Sequence, residues 1–165
     1  MRIHVIATGG SIDVEYSLLG TLAIGEPMAL HILEQARTLH ELTIESVLCR
    51  DSATFDDADR SLIRRHIQAT DTEHILVTHG TDTMTATADH LADLTGKVVV
   101  LTGAIQPARM TNSDAAFNLG LAVAALQTLP HGVHIAMSGR LFPIGTTRKD
   151  HERGLFIDIT GNPTA

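Results

Sequence analysis

The sequence has 165 residues, enough for one globular domain that buries roughly two-thirds of its unfolded surface. Hydrophobic residues make up 44% of the chain and charged residues 19%, a composition that excludes a disordered protein. The formal net charge is −7 and the 12 basic residues are scattered, so nucleic acid is not an expected partner.

Cysteine usage and hydropathy restrict the cellular context. Cys49 is the single cysteine, so an internal disulfide is excluded and a cytoplasmic location is expected. Its neighbours Val47, Leu48 and Arg50 favour a structural thiol over a nucleophile. No apolar run approaches about 18 residues, and the run that ends at Thr8 is too short for a signal peptide. We therefore expect no membrane association and no cleaved leader.

The first predicted element is a strand at residues 3–7, which are apolar and rich in β-branched side chains. Residues 8–11 (TGGS) then predict a tight glycine turn. The third glycine of a dinucleotide fingerprint is missing and no helix follows directly, which argues against a nicotinamide or flavin site. Residues 13–26 lack clean periodicity and contain Tyr16, the single tyrosine, so a mobile loop over a site is expected there.

Four segments carry apolar residues at helical spacing, and each predicts an amphipathic helix. The expected buried faces are Leu30, Leu33, Ala36 and Leu39; Leu62, Ile63 and Ile67; Met84, Thr87, Leu91 and Leu94; and Phe117, Leu121, Ala124 and Ala125. Pro27 suits the first turn of the first helix. The expected caps are Thr54 with Asp57 for the second helix, Asp82 or Thr83 for the third, and Asn112 or Ser113 for the fourth.

Further strands alternate with these helices. They are expected at residues 43–48, 75–78, 97–101 and 133–137, with a last short strand or extended tail at 155–159 after a polar, basic segment at 138–153. This alternation indicates βαβ units. The predicted fold class is α/β, a three-layer sandwich with a mostly parallel central sheet, in a single domain spanning residues 1–165.

Four predicted strands end in corners rich in hydroxyl groups or glycine. The corners contain Ser11, Ser52, Thr81 with Asp82, and residues 102–104. Because the carboxyl ends of parallel strands share one edge of a sheet, we expect the corners to converge on one pocket. The stretch HILVTHGTDTM at residues 74–84 is the centre of this pattern, although the residues alone also fit a simple capped turn between strand and helix.

The corners carry the groups needed for acyl transfer. Ser11 and Thr81 are hydroxyls that need a base to become nucleophiles, and Asp82 and Lys149 are the candidate activators. Backbone N–H groups at Gly10, at Gly80 or in the turn after Ser11 are candidates for stabilising an oxyanion. Taken alone, Lys149 between Arg148 and Asp150 is more typical of a solvated charge.

Histidine spacing gives no metal site. His151 and Glu152 are not followed by the second histidine of an HExxH motif. His131 and His134 span the start of a strand without a third partner. We therefore expect no metal ion.

Read together, the corners resemble the bacterial-type L-asparaginase family, specifically its amino-terminal domain. The matching pieces, in the family's order, are ATGGSI at residues 7–12, DSATF at 51–55, VTHGTDTM at 77–84, LTGAIQPARMTNSDAAFNL at 101–119 and TTRKD at 146–150. The resemblance implies hydrolysis of L-asparagine to L-aspartate and ammonia, without a cofactor. It also implies a homodimer.

The resemblance implies roles for individual residues. Ser11 stands at the position of the family's nucleophilic threonine, and Thr81, Lys149 and Asp82 match its second group of hydroxyl, lysine and carboxylate. Ser52 and Asp82 would hold the α-carboxylate and α-amino groups of the substrate. The Ala104 carbonyl would face the side-chain amide, and the remaining expected binding residues are Gly10, Asp51 and Gly80.

The sequence departs from the family pattern in three places. The nucleophile is serine, and the position of the family's loop tyrosine falls on Thr21, so Tyr16 would replace it only in a rearranged loop. The sequence stops where the family's smaller carboxy-terminal domain would begin. Because Ser11, Ser52, Thr81, Asp82 and Lys149 are nevertheless retained in order, the leading hypothesis is an amidohydrolase for asparagine or a related small amide. The alternatives are a non-catalytic module that binds aspartate, asparagine or a similar amino acid, and a hydrolase of a different amide or ester.

Overall fold

The structure of the protein is a computed structural model that describes residues 1–160. Its strands are β1 (Arg2–Ala7), β2 (Val14–Tyr16), β3 (Leu22–Ile24), β4 (Glu41–Ser46), β5 (His74–Thr78), β6 (Val98–Thr102), β7 (Gly132–Met137), β8 (Arg140–Pro143), β9 (Thr147–Asp150) and β10 (Leu155–Asp158). Its α-helices are α1 (Ala29–Gln35), α2 (Asp57–Ala69), α3 (Met84–His90) and α4 (Ala115–Thr128).

The central sheet has six strands in the order β4-β1-β5-β6-β7-β8. The first five are parallel, and β8 pairs with β7 in the antiparallel direction. Every residue of β6 is buried, as a parallel strand covered on both faces requires. The prediction of a mostly parallel sheet is confirmed.

Helices cover both faces of the sheet. On one face, α2 and α3 bury Ile63 and Met84 in a core with strand residues such as Val77. On the other face, α1 and α4 bury Leu33 and Leu119 in a second core. The structure is therefore the three-layer α/β sandwich that the alternation of strands and helices predicts.

The predicted buried faces are right for α3 and only partly right for α1 and α4. The side chain of Phe117 is 65% exposed and Ala124 is exposed, whereas α4 buries Asn118 and Leu119. Apolar residues occur on every side of α4, so spacing does not single out one face. In α1 the helix ends at Gln35, and Leu39 lies beyond it, 99% exposed.

Two of the expected caps lie at other residues. The capping box of α2 is formed by Asp56 and Asp59, two residues after the expected Thr54 and Asp57. Asp114 occupies the N-cap position of α4, while the expected Ser113 accepts a hydrogen bond from the N–H of Ala115. In α2 the Asp56 carboxylate accepts from the N–H of Asp59, as a capping hydroxyl would, whereas the Asp114 carboxylate accepts from the N–H groups of Ile105 and Gln106 and does not cap α4.

The chain contains strands in two segments that lacked a strand pattern. Residues 13–26 form a hairpin of β2 and β3 rather than an irregular loop. The polar segment at residues 138–153 contains β8 and β9, and β9 pairs with β10. No helix within residues 1–160 is long and apolar enough to span a membrane.

Candidate active site

Three strand ends meet through glycines that have no room for a side chain. Gly9 and Gly10 both have a φ of +87°, which glycine adopts readily and other residues rarely do. A Cβ atom on Gly10 would lie 2.4 Å from the Cα atom of Gly80, and one on Gly9 would lie 2.7 Å from the backbone nitrogen of Arg50. The turn after β1 therefore packs directly on the turns after β4 and β5, as the sequence predicts.

Lys149 reaches into this edge from β9. Its Nζ atom donates hydrogen bonds to Oγ1 of Thr81 at 2.8 Å and to Oδ1 of Asp82 at 2.5 Å. The Lys149 side chain is only 16% exposed, and its residue pairs in register with Phe156 of β10, which is buried. The Lys149 side chain is therefore held in one position by Thr81 and Asp82 rather than exposed to solvent.

This cluster couples a hydroxyl to an ion pair. Thr81 is almost fully buried, whereas the carboxylate of Asp82 is 44% exposed and open to a ligand. The imidazole of His151 lies 3.9 Å from the same carboxylate oxygen, at the exposed side. A lysine held against a hydroxyl can polarise it, and can take its proton once the lysine is neutral.

Ser11 lies in a separate part of the same edge. It starts a 3-10 turn, Ser11–Asp13, and with Gly10 and Asp51 it lines a pocket of about 290 Å³. The opposite wall of this pocket comes from the β2–β3 hairpin, through Val14, Leu22, Ala23 and Ile24. Within residues 1–160, Ser11 makes no hydrogen bond with Thr81 or Lys149. The turn that carries Ser11 and the turn that carries Thr81 are joined by the contact of Gly10 with Gly80.

Ser52 is a buried hydroxyl that begins a 3-10 turn, Ser52–Thr54, in the segment after β4. Its residue is fully buried, and its Oγ atom has no hydrogen-bond partner within the described residues. The backbone around it is fixed, because Thr83 Oγ1 donates to the Ser52 carbonyl at 2.8 Å and the Asp51 carboxylate accepts from the N–H of Ala53. A Cβ atom on Gly80 would lie 2.4 Å from Ser52 Oγ. A buried polar atom without a partner is costly, which makes this hydroxyl a candidate ligand contact.

His79 is a residue whose structural role the sequence does not reveal. The Gly80 carbonyl oxygen can only accept, so His79 Nδ1, 2.7 Å away, carries the proton. The other ring nitrogen then accepts from the Thr87 hydroxyl at 2.8 Å. Complete burial lowers the pKa of His79 from 6.5 to about 4. A neutral His79 thus fixes the carbonyl group of the residue before Thr81. The feature of the sequence that could have indicated this role is the position of His79 at the start of HGTDT.

Ala104 lies at the end of β6, where it is buried. The preceding Gly103 carbonyl accepts from the Asn118 side-chain amide at 3.0 Å. The carboxylate of Asp114 accepts from the N–H of Ile105 at 3.0 Å. Helix α4 therefore fixes the backbone on both sides of Ala104.

The two candidate loop residues lie away from Ser11. Tyr16 is 74% exposed, and its hydroxyl lies near Gly20 at the hairpin turn. Thr21 exchanges backbone and side-chain hydrogen bonds with Ser17 and is exposed. Among the described residues that line the Ser11 pocket, neither Tyr16 nor Thr21 is present.

Other cavities and polar clusters within the described residues contain fewer groups suited to catalysis or ligand binding. A larger cavity of about 400 Å³ lies between α1, residues 108–113 and α4, and its walls contain none of the strand-end corners. Within residues 1–160, no group of three or more histidine, cysteine, aspartate or glutamate side chains is arranged to hold a metal ion. His131 instead contacts Glu73 at 2.6 Å.

Known proteins share this arrangement of elements. The model of the family described as "Asparaginase, N-terminal" matches residues 2–155. The L-asparaginase of Thermococcus kodakarensis is 29% identical over 162 residues, which cover 94% of this chain and 49% of that protein. L-asparaginase 1 of Escherichia coli is also 29% identical, over 92% of this chain and 48% of its own length. The chain spans about half the length of these curated relatives.

Solved structures show the same half-length correspondence. The thermostable L-asparaginase from Thermococcus kodakarensis superposes with a TM-score of 0.85 at 28% identity, covering 96% of this chain and 51% of that one. L-asparaginase I from Vibrio cholerae gives a TM-score of 0.83 at 27% identity, with 95% and 51% coverage. A probable cytoplasmic L-asparaginase from Campylobacter jejuni gives 0.81 at 27% identity, with 95% and 51% coverage.

Proposed function

The chain belongs to the asparaginase family, and from this premise we propose that it hydrolyses the side-chain amide of L-asparagine, or of a related small amide, to a carboxylate and ammonia. The observation that carries the proposal is the hydrogen bond from Lys149 Nζ to Thr81 Oγ1 at 2.8 Å, beside Asp82. A lone lysine in a polar segment would be solvated, whereas this one is directed at a buried hydroxyl.

In the proposed reaction the Ser11 hydroxyl attacks the amide carbon, its proton passes to the amide nitrogen, and the amide oxygen becomes an oxyanion. Backbone N–H groups at the Gly10 turn stabilise that oxyanion. When the oxyanion re-forms the C=O bond, the C–N bond breaks, the nitrogen leaves as ammonia with the proton that came from Ser11, and the acyl group remains as an ester on Ser11. Thr81 and Lys149 then activate the water that hydrolyses the ester and restores the Ser11 hydroxyl.

Of the proposed binding residues, Gly10 and Asp51 line the Ser11 pocket, and the others follow neighbouring strands of the sheet. Ser52 Oγ supplies a donor for the α-carboxylate, and its lack of a partner within residues 1–160 supports that role. Asp82, half-exposed, supplies the negative charge for the α-amino group. The Ala104 carbonyl faces the side-chain amide, and Gly10, Asp51 and Gly80 complete the set.

A second candidate function is amino-acid binding without turnover. It is favoured by the position of Tyr16, whose hydroxyl lies near Gly20 and which is not among the described residues that line the Ser11 pocket. A cytoplasmic location and a homodimeric assembly are also proposals, the first supported by the Campylobacter jejuni relative. Sedimentation velocity of the purified protein tests the dimer.

The decisive experiment measures ammonia release from L-asparagine by the parent protein, Ser11→Ala and Lys149→Met. Lys97→Met is a matched control, because Lys97 donates to the carbonyls of Thr70 and Thr72 at the opposite edge of the sheet. The proposal requires that the parent and Lys97→Met release ammonia and that Ser11→Ala and Lys149→Met do not. Aspartate binding by calorimetry without ammonia release would favour the binding module. Release from other amides or esters alone would redefine the substrate.

A further inference from the structure

Asp13 is a buried carboxylate that the proposed reaction does not use. It is the last residue of the 3-10 turn that begins with Ser11, and its residue is 1% exposed. Its backbone N–H donates to the Gly10 carbonyl at 3.1 Å, so Asp13 closes the turn that carries the serine. Removing a carboxylate from water is unfavourable unless it is hydrogen-bonded or paired with a charge, so the contacts of Asp13 need an explanation.

The other contacts of Asp13 close the base of the β2–β3 hairpin. Its carbonyl accepts from the N–H of Gly25 at 2.9 Å, immediately after β3. Its Oδ1 atom accepts from the N–H of Met28 at 2.8 Å, where α1 begins. Met28 occupies the N-cap position of α1 and makes no capping hydrogen bond of its own within the described residues. One residue therefore ties the serine turn, the end of the hairpin and the start of α1 together.

The hairpin held in this way forms a wall of the Ser11 pocket. Leu22, Ala23 and Ile24 of β3 face that pocket, and Ile24 is adjacent to Gly25. A displacement at Gly25 is passed directly to this wall because no residue intervenes. The wall has a second support at the opposite strand, where Glu15 contacts Arg109 at 3.1 Å.

We propose that Asp13 is a positioning residue: its carboxylate anchors Met28, and with it the segment that follows Gly25, and so keeps the hairpin wall at the distance from Ser11 that substrate binding requires. This inference rests on the proposed amidohydrolase function for its kinetic consequence, but not for its structural one. The second carboxylate oxygen, Oδ2, is buried with no partner within residues 1–160, which leaves Asp13 dependent on the Met28 bond. Arg109, paired with Glu15, is the charged group that faces Asp13 among the described residues.

The structural test is hydrogen–deuterium exchange of the parent, Asp13→Ala, Asp13→Asn and Glu15→Gln. Loss of a hydrogen bond to a charged group should raise exchange at residues 22–28 by about tenfold or more in Asp13→Ala. Asp13→Asn retains an oxygen acceptor for Met28 and should restore most of the protection. Glu15→Gln keeps the shape of the side chain that lies beside Gly25 but removes the charge that pairs with Arg109, so exchange at residues 25–28 should stay within about twofold of the parent.

The kinetic test follows ammonia release from L-asparagine. In Asp13→Ala the KM should rise by about tenfold with kcat changed far less, because the pocket wall is loosened while the Thr81 and Lys149 group is intact. Asp13→Asn should restore KM and remove any inflection near pH 6 from the profile of kcat/KM. Unchanged exchange in Asp13→Ala, or loosened exchange with an unchanged KM, would overturn the positioning role. A parent that releases no ammonia overturns the proposed function alone, and the exchange data still decide whether Asp13 holds the hairpin.

Discussion

Lys149 Nζ donates a hydrogen bond to Thr81 Oγ1 across a separation of 68 residues. Thr81 follows a parallel strand in the middle of the sheet, whereas Lys149 lies in a two-stranded antiparallel ribbon outside it. The contact therefore depends on two independent parts of the fold being placed correctly. It also makes the two side chains a single functional unit that can be tested as a pair.

Removing the Thr81 hydroxyl should abolish turnover without unfolding the protein. Thr81→Val keeps the shape of the side chain, so we expect kcat to fall by about 10²–10⁴, the usual contribution of a positioned proton-transfer group. Thr81→Ser retains the hydroxyl and should keep most activity. Because Thr81 and Lys149 act together, the double variant Thr81→Val, Lys149→Met should be little worse than the poorer single variant. Multiplicative losses in steady-state kinetics would show that the two residues act separately.

His79 should make stability depend on pH in the acid range. Burial lowers its pKa from 6.5 to about 4, so between these values the unfolded chain binds the proton and the folded protein does not. Stability contributed by neutral His79 is therefore complete above about pH 6.5 and is lost as the pH falls toward 4. At about 1.36 kcal/mol per pKa unit, the loss amounts to about 3 kcal/mol. Urea denaturation of His79→Gln at several pH values should show this dependence removed, and an undiminished slope in the variant would contradict the assignment.

Asp13 should change the stability in the opposite direction over nearly the same pH range. Burial raises its pKa from 3.8 to about 6, although the Met28 hydrogen bond and the charge of Arg109 lower it. Between these values the folded protein binds the proton and the unfolded chain does not, so stability falls as the pH rises from about 4 to 6. At pH 7 the charged carboxylate costs about 3 kcal/mol of stability, by the same conversion.

Asp13→Asn should therefore raise the free energy of unfolding at pH 7 and steepen its loss in acid, where His79 then acts unopposed. In the parent the two residues partly cancel, so its denaturation midpoint should change little between about pH 4 and 6. Denaturation of the parent and both single variants separates the contributions. The Asp13 assignment would be wrong if Asp13→Asn left the slope unchanged.

Much of the site edge was predictable because local sequence determines it. The apolar runs at β5 and β6 and the glycine and hydroxyl corners after them indicate parallel strands with a pocket at their ends. The place of Lys149 was not predictable from local pattern, because β9 reads TRKD and becomes a strand only by pairing with β10. The buried face of the fourth helix was predicted only in part because apolar residues occur on every side of it. The connection of Asp13 to Met28 joins residues 15 apart across a hairpin and leaves no mark in residue spacing.

The contact between Gly10 and Gly80 gives the most direct test of the assembled edge. Gly10→Ala would require a φ of +87° in a residue with a side chain and would place its Cβ 2.4 Å from the Gly80 backbone. Since backbone cannot move aside as a flexible side chain can, we expect a loss of about 2–4 kcal/mol in stability, together with displacement of Ser11. Differential scanning calorimetry and ammonia release measure the two effects.

Two other glycines separate backbone strain from the steric clash. Gly145 has a φ of +72°, but no atom of the described residues lies within 4 Å of the position that a Cβ would take, so Gly145→Ala should cost only about 1–2 kcal/mol. Gly120 lies inside α4 with equally open space, and Gly120→Ala should stabilise the protein by about 0.5–1 kcal/mol. If Gly10→Ala cost no more than Gly145→Ala and left turnover intact, the turns after β1 and β5 would not be packed as closely as this structure shows. The loss of stability on substitution by alanine should therefore decrease in the order Gly10, Gly145, Gly120. This order tests whether close packing of the two turns, rather than backbone strain alone, positions Ser11.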